Sequence, residues 1–228
     1  QRLASDSVLK YYKMNINIIK KDFFIAALAG ELAAWLSFPI LKNLKIFDVL
    51  AERGIDATSF SVFWILFVPI GAIAGLSFFY FLGKYKNNIG FFELGKYGII
   101  GVLNTFLDAG VYNLFIFITD IASGFIVNIF FIVAFTVTVI NSFFWNKFWS
   151  FEEKKIENIR TEAVQFFSVS AVVAAVNAVI LHVIVNIIGA PISIDSKIWA
   201  NLALGFTIIT AFLGNFFSYK YIVFSTKK

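Results

Sequence analysis

Long apolar stretches separated by short polar segments dominate the chain. A helix rises about 1.5 Å per residue, so about 20 apolar residues cross a hydrocarbon core of about 30 Å. A backbone inside lipid must satisfy its own hydrogen bonds, and each such stretch is therefore expected to be a helix. The pattern predicts an all-α, polytopic membrane protein with six transmembrane helices, at residues 23–41, 61–82, 97–118, 125–145, 164–188 and 199–217.

Composition agrees with this pattern. The chain is 60% hydrophobic with a mean hydropathy of +0.83, and its 14% of charged residues is well below the quarter or so that is usual for soluble domains. The net charge of +5 is also a feature of nucleic-acid binders, but membrane proteins collect positive charge in cytoplasmic loops, and no nucleic-acid partner is expected. Cysteine is absent, which excludes disulfides, thiolate metal sites and a cysteine nucleophile.

Lysine and arginine are concentrated in alternate connecting segments. The N-terminal segment 1–22, the second and fourth connections and the C-terminal tail hold 15 of the 19 basic residues. By the positive-inside rule, the chain is predicted to lie in the cell membrane with both termini in the cytoplasm. The chain starts at Gln1 and its only methionine is Met14, so residues 1–13 have three explanations: an appended sequence, translation from an upstream start, or a wrongly assigned start.

Residues 97–224 repeat themselves at an offset of 73 residues without a gap. The repeated unit contains two spans, so both copies have the same orientation, related by a twofold axis along the membrane normal. This predicts tandem parallel repeats at about 93–151 and 166–224, within a four-span domain at 92–228, and an added hairpin at 23–91. The matched pairs include Asn104 and Asn177, Asn113 and Asn186, Asn128 and Asn201, and Lys147 and Lys220.

The predicted hairpin has packing signals of its own. Small residues at every fourth position let two helices approach closely. They are Ala26, Gly30 and Ala34 in the first span and Gly71 and Gly75 in the second. Pro39 and Pro69 fall inside or at the end of these spans and are expected to kink or end the helices.

Polar residues inside the spans are candidates for function because they are costly to keep in lipid. Asn104 and Asp108 lie one turn apart on one face of the third span, while Asn113 is about half a turn away from Asn104. One face is therefore expected to line a polar path and the other to bond a neighbouring helix; for any single asparagine, interhelical bonding is an equally good explanation. Polar strips are predicted at Asn128, Ser142 and Asn146 in the fourth span, and at Asn201, Asn215 and Tyr219 in the sixth.

Four further side chains carry charge or titrate. Lys147 and Lys220 end the fourth and sixth spans at equivalent positions, where a lysine either snorkels to the interface or binds a phosphate at the headgroup level. Glu31 is the only acid besides Asp108 deep inside a span, and a structural hydrogen bond is as good an explanation as function. His182 is the only histidine; it cannot form a metal site alone, and a packing role is expected.

Aromatic side chains near the predicted interfaces are typical of a membrane belt. They include Trp145, Trp149 and Trp199, and Trp145 is also a candidate for stacking on a sugar ring. The sequence has no phosphate-binding loop, zinc-protease pair or nucleophile elbow, and no enzymatic activity, metal or cofactor is predicted.

These motifs resemble the GtrA-like family of small membrane proteins. The family opens on Tyr-x-x-x-Gly-x-x-Asn, and its hallmark is Asn-Phe-x-x-Asn-Arg/Lys-x-Trp-x-Phe. The residues that match are Tyr97, Gly101 and Asn104 for the opening, and Phe143, Asn146, Lys147, Trp149 and Phe151 for the hallmark. Ser142 replaces the first asparagine of the hallmark, whereas the second copy retains it as Asn215 but departs at Tyr219 and Ile222.

The resemblance implies a flippase for undecaprenyl-phosphate or similar polyprenyl-phosphate-linked monosaccharides, which serves glycosylation of cell-surface and cell-wall polysaccharides. The alternatives are a non-transporting membrane anchor for a glycosyltransferase and an exporter of small cations or drugs. A four-span unit is small for a closed path, which leaves a homodimer open. The predicted binding residues for the lipid-linked sugar are Asn104, Asp108, Asn128, Asn146, Lys147, Asn177, Asn201, Asn215 and Lys220.

Overall fold

A computed structural model describes residues 16–150 and 159–218, and these are helical with no β-strand. This confirms the all-α prediction. The helices are α1 (Ile16–Asn43), α2 (Ile46–Glu52), α3 (Ala57–Lys86), α4 (Gly90–Thr119), α5 (Phe125–Trp145), α6 (Ile159–His182) and α7 (Ser196–Ser218), and π-helical turns at Asn146–Ser150 and Val183–Ile188 follow α5 and α6.

Within residues 16–150 and 159–218, five helical segments are long and apolar enough to cross a membrane. They correspond to the first five predicted spans. The sixth predicted span coincides with α7, which is 23 residues long but is not among these five, so the count of six stays a prediction. The tandem-repeat relation and the orientation of the termini also stay predictions, and Met14 lies outside the described residues.

The ends of α3 show how local sequence sets a helix boundary. Asp56 is its N-cap, and the carboxylate accepts a 2.8 Å hydrogen bond from the Ser59 N–H. Asn87 ends the helix in the left-handed conformation, with φ of 50°, which asparagine tolerates better than most residues. Pro39 and Pro69 lie inside α1 and α3, and neither ends its helix.

The described residues divide into two compact units. The first unit takes the described residues within Gln1–Trp35, Leu50–Asn104 and Phe144–Lys154. Its apolar core contains Ala26 of α1 and Phe92 of α4.

Helices in the first unit pack closely at one of the predicted small-residue positions. A Cβ on Gly30 would lie 2.5 Å from the Pro69 Cα, so α1 and α3 are in backbone contact there and only glycine fits. The prediction is wrong for Gly71 and Gly75, where a Cβ would meet no atom of the described residues within 4 Å. Spacing alone does not tell which side of a helix faces its neighbour.

The second unit takes the described residues within Leu36–Val49, Thr105–Phe143 and Lys155–Lys228. Four helices each contribute to its core, for example through Tyr112, Phe131, Leu181 and Leu204. Lipid is as apolar as these side chains, so burial itself contributes little here, and packing and hydrogen bonds hold the helices together.

Connecting segments of the second unit meet through ion pairs. Lys45, in the first connection, lies 2.8 Å from Asp195 in the fifth, and Lys197 pairs with Asp120 in the third. The hydrogen bond from Lys45 lowers the pKa of Asp195 below its usual range and raises the pKa of Lys45. The predicted topology likewise places the odd-numbered connections on one side of the membrane.

Candidate functional site

A buried ion pair lies in the first unit. The Lys96 ammonium is 3.3 Å from Oδ1 of Asp22, and both side chains are only about 2% exposed. The Trp149 indole N–H donates a 2.9 Å hydrogen bond to the same oxygen. We call Asp22, Lys96 and Trp149 the charged cluster. Its residues come from α1, α4 and the π-helical turn after α5, so it ties three separate segments together.

Aromatic rings surround the cation of the charged cluster. The Lys96 ammonium is 4.9 Å from the centre of the Phe92 ring and 6.0 Å from that of Trp149, within the range of cation–π attraction. Trp145 packs edge-on against Trp149 at 6.0 Å. Trp149 is buried, so the prediction that it belongs to an interfacial belt is wrong.

The family hallmark falls on the π-helical turn Asn146–Ser150. Such turns are rare and frequently occur at functional sites. Here the turn buries Lys147, Trp149 and Ser150, and the Ser150 hydroxyl donates a 3.5 Å bond to the Glu93 carbonyl oxygen. Lys147 is only 7% exposed, so it packs inside the protein instead of snorkelling outward as an interfacial anchor does.

A network of amides joins three segments of the second unit. Asn113 of α4 and Asn201 of α7 form a reciprocal pair, each Nδ2 donating to the other's Oδ1 at 2.7 and 2.8 Å. Nδ2 of Asn43 in α1 donates to Oδ1 of Asn113 at 2.8 Å and to its carbonyl oxygen at 2.9 Å. We call these residues the amide network. It confirms that Asn113 bonds neighbouring helices, and it gives Asn201 the same interhelical role.

A second polar group centres on His182. Its Nδ1 lies 2.7 Å from Nδ2 of Asn128 and 3.1 Å from Nδ2 of Asn186, and therefore accepts hydrogen bonds from both amides. Oδ1 of Asn186 accepts a bond from the backbone N–H of Gly124. The predicted packing role of His182 is confirmed, because the ring joins α5 to α6.

Asn177 also makes an interhelical contact. It is buried in α6, donates to the Val173 carbonyl oxygen one turn back at 3.0 Å, and accepts a hydrogen bond from the Thr210 hydroxyl of α7. Five of the predicted amides or their repeat partners thus bond neighbouring segments: Asn113, Asn128, Asn177, Asn186 and Asn201.

Asp108 differs from these amides. It is 8% exposed, and its Oδ1 has no hydrogen-bond partner among the described residues. The hydroxyl of Tyr112, one turn further along α4, is fully buried and likewise has no partner within the described part of the chain. Oδ1 of Asn128 is also buried and has no hydrogen-bond partner among the described residues. Buried polar atoms are costly unless they are hydrogen-bonded, so these atoms mark where a polar ligand or water would be stabilised.

For the remaining predicted residues, the structure gives the position of some side chains and not of others. Asn104 is half-buried on α4, and Asn146 is half-buried at the start of the π-helical turn. Asn215 lies on α7, but its side chain is outside the described part, and Lys220 lies outside the described residues altogether. Among the side chains that are described, no cluster of three acidic or histidine residues has the arrangement of a metal site. Glu31 accepts a 2.8 Å bond from the Trp35 indole on its own helix.

Four of the buried polar residues described above are not distinguished by the sequence pattern. Asp22 and Lys96 flank predicted spans and look like ordinary charges of connecting segments, and Asn43 lies just beyond the end of a span. Tyr112 has the pattern of a core aromatic residue. The strongest available signal was the position of Lys96, immediately before the opening motif at Tyr97.

Five of the described helices are long and apolar enough to span a membrane, and the protein buries the charged cluster, the amide network and the Asp108 carboxylate. These features define a polytopic α-helical membrane protein. The family model described as GtrA/DPMS, transmembrane domain, matches residues 96–224, more than half of the chain. The chain therefore belongs to this family, as the motifs predicted, and is a membrane-embedded member of a family that handles lipid-linked sugars. No curated protein and no solved structure matches it.

Proposed function

We propose that this protein translocates a polyprenyl-phosphate-linked monosaccharide from the cytoplasmic to the outer leaflet of the cell membrane, with both of its termini in the cytoplasm. The prenyl chain remains in lipid during the movement, so only a sugar and one phosphate group cross the apolar core. The protein performs no chemical step. Its task is to replace the water around the sugar hydroxyls and the phosphate.

The observation that carries the proposal is the incomplete hydrogen bonding around Asp108. In a unit whose other amides largely bond one another, the Asp108 carboxylate and the Tyr112 hydroxyl are buried with unused bonding capacity. A sugar offers several hydroxyls, each both a donor and an acceptor, and a carboxylate bond to such a donor is charge-assisted. Intramembrane acids with this character are functional candidates by default.

Lys147 supports the phosphate half of the proposal. It lies on the π-helical turn that carries the family hallmark, at the position where the family has Arg or Lys, and a cation there is chemically suited to bind a phosphate. Among the predicted residues, we give Asn104, Asp108, Asn146 and Lys147 the greatest weight for substrate contact, because they lie in the copy of the repeat that keeps more of the family motif. For Asn128, Asn177 and Asn201 the structure provides interhelical bonds, and Asn215 and Lys220 keep their proposed roles from the repeat alone.

The organisation we propose combines an added hairpin at 23–91 with a four-span domain at 92–228, built from parallel repeats. A homodimer would enlarge the path. The lipid-linked sugar is the proposed substrate, and the products of its transfer would be cell-surface or cell-wall polysaccharides.

The test is leaflet exchange in liposomes. Purified protein should accelerate movement of a polyprenyl-phosphoryl monosaccharide between leaflets relative to protein-free vesicles, and Lys147→Ala should slow it at equal amounts of folded protein. An absence of acceleration, together with co-purification of a glycosyltransferase, would favour the anchoring role. An exporter of cations would instead move its solute with no effect on the lipid.

A further inference from the structure

We infer that the Asp22 carboxylate is an internal counter-ion that occupies the place of a lipid phosphodiester beside Lys96. The ligand class is a prenyl phosphodiester, whose anionic group would displace Asp22 and take its contacts with Lys96 and Trp149. This inference rests on the proposed function, because it names the site at which that same substrate is first held.

Charge balance supports the exchange. Lys96 is about 2% exposed, and a buried ammonium without an anion is costly, so something must neutralise it in every state of the protein. Asp22 supplies one negative charge in this structure. A phosphodiester between a prenol and a sugar also carries one negative charge at neutral pH. Replacing the one by the other therefore leaves the total buried charge unchanged.

The bonding of Asp22 is poorer than its burial requires. Both donors, Lys96 and Trp149, reach the same oxygen, Oδ1. Oδ2 is buried and has no hydrogen-bond partner among the described residues. A phosphodiester has two unesterified oxygens on a tetrahedral phosphorus and can accept from the ammonium with one and the indole with the other. The carboxylate is thus a replaceable partner, since a buried acceptor without a hydrogen bond is unfavourable and the phosphodiester would leave neither donor-facing oxygen unused.

The surroundings suit an amphiphilic ligand. Phe92 and Trp149 present rings to the ammonium, and Trp145 packs on Trp149. Such a lining accepts a prenyl chain on its apolar side, while the cation holds the phosphate.

The three residues of the charged cluster come from different parts of the chain, and this distinguishes the proposed ligand-binding groups from the competing carboxylate. Lys96 and Trp149 lie within the region that matches the family model, whereas Asp22 comes from α1, which precedes that region. The cation and the indole are therefore the ligand-binding part of the charged cluster, and α1 supplies the competing anion. Movement of α1 away from Lys96 would then accompany substrate binding.

Binding measurements on the full chain in nanodiscs test the inference. The probe is farnesyl phosphoryl glucose; farnesyl glucoside, which lacks the phosphate, is the uncharged control, and inorganic phosphate tests whether a free anion suffices. Asp22→Asn should raise the apparent affinity for the phosphodiester about tenfold or more, because the competing state is removed. Lys96→Gln and the double variant Asp22→Asn/Lys96→Gln should lose phosphodiester binding.

Glu31→Gln is the matched control. Glu31 is also an α1 carboxylate that accepts an indole hydrogen bond, but its donor is Trp35 of the same helix. Its neutralisation should leave phosphodiester affinity unchanged. An unchanged or lower affinity in folded Asp22→Asn would overturn the inference, as would equal gains for the glucoside. Binding of inorganic phosphate at the same affinity would assign the site to free anions and overturn the lipid assignment.

A second measurement uses the wild-type chain, so it does not depend on the folding of any variant. A hydrophobic carbodiimide should label Asp22 faster when farnesyl phosphoryl glucose is bound, because the carboxylate is released from Lys96. Peptide mass spectrometry measures the labelling, and an unchanged rate at saturating ligand would contradict the exchange. The outcome is separable from the proposed function: phosphodiester binding without leaflet exchange would refute translocation alone, and leaflet exchange without binding at Lys96 would refute this inference alone.

Discussion

The charged cluster and the amide network solve the problem of polar groups in an apolar protein in different ways. In the amide network, Asn113 and Asn201 each donate to and accept from the other, and Asn43 donates to Asn113, although Oδ1 of Asn43 has no partner among the described residues. In the charged cluster, Lys96 and Trp149 both reach Oδ1 of Asp22, and Oδ2 has no partner among the described residues. The two sites therefore differ in charge and in reciprocity. Reciprocal neutral bonds suit permanent contact between helices, whereas an ion pair with one oxygen unbonded suits exchange with an anionic ligand.

The largest expected effect is that of breaking the ion pair. Lys96→Gln leaves Asp22 buried without its cation, and such a loss typically costs about 3–5 kcal/mol of stability. Thermal unfolding in detergent should show it as a clear fall in the midpoint. The double variant Asp22→Asn/Lys96→Gln should recover most of the loss, because no buried charge remains. A Lys96→Gln midpoint equal to that of the wild type would show that the pair does not stabilise the fold.

Breaking the amide network should cost less. Asn113→Ala removes the side-chain bonds to Asn43 and Asn201 and takes the donor away from Oδ1 of Asn201, at about 1–3 kcal/mol. The Nδ2 groups of Asn43 and Asn201 keep their bonds to the backbone carbonyls of residue 113 and Lys197. A double-mutant cycle with Asn201→Ala should give a coupling of about 0.6–1.7 kcal/mol, the range for hydrogen bonds between membrane helices. Thr119→Ala is the control, since that hydroxyl makes local bonds, donating to the Phe115 carbonyl and accepting from the Ile121 N–H. If Thr119→Ala and Asn113→Ala lowered the free energy of unfolding equally, the amide network would contribute no more than a local hydrogen bond.

Two glycine-to-alanine substitutions in the first unit should have opposite effects on the stability of the protein. Gly30→Ala would place a methyl group 2.5 Å from the Pro69 Cα and should destabilise the protein by about 1–3 kcal/mol. Gly71→Ala meets nothing within 4 Å and should be neutral or stabilising by up to about 1 kcal/mol through helix propensity. Thermal midpoints measured side by side decide this. If Gly71→Ala destabilised the protein, the prediction from sequence that Gly71 packs closely against a neighbouring helix would be supported.

The smallest expected effect is that of the exposed pair Lys45–Asp195, because solvent and salt screen it. The hydrogen bond from Lys45 lowers the folded-state pKa of Asp195, so its contribution is present above the unfolded value of about 3.9 and is lost as the pH falls through the folded pKa. The pKa of Lys45 is raised, so its contribution is present below about 10.4 and is lost as the pH rises through the folded pKa.

Lys45→Gln should therefore lower the unfolding midpoint slightly near neutral pH, and the difference should shrink in acid, in strong base and in molar salt. A difference that persists in molar salt would contradict the screening argument.

Helix positions follow from hydropathy because a spanning segment has few alternatives to a helix. The fourth predicted span, 125–145, coincides with α5, whereas the seven-residue α2 was not predicted because so short a segment has no clear periodicity. The same reasoning selects intramembrane amides as costly but cannot say what they bond. Asn113 and Asp108 are both polar residues in one apolar helix. Only the three-dimensional structure shows that Asn113 bonds its neighbours and that Oδ1 of Asp108 has no partner among the described residues.

The charged cluster was beyond sequence reasoning for a different reason. Asp22 and Lys96 lie far apart in the chain, at the ends of spans where charged residues are common. Nothing in their local sequence distinguishes a buried pair from two solvated charges. The pairing depends on tertiary contact among α1, α4 and the turn after α5.

The most direct test of lipid translocation is the rate of leaflet exchange of a polyprenyl-phosphoryl monosaccharide in liposomes that contain equal amounts of folded wild-type, Asp108→Asn or Asn113→Ala protein. We expect the wild type to accelerate exchange, Asp108→Asn to slow it about tenfold, equivalent to about 1.4 kcal/mol, and Asn113→Ala to retain the wild-type rate. Exchange no faster than in protein-free vesicles, or full activity in Asp108→Asn with loss in Asn113→Ala, would contradict these expectations.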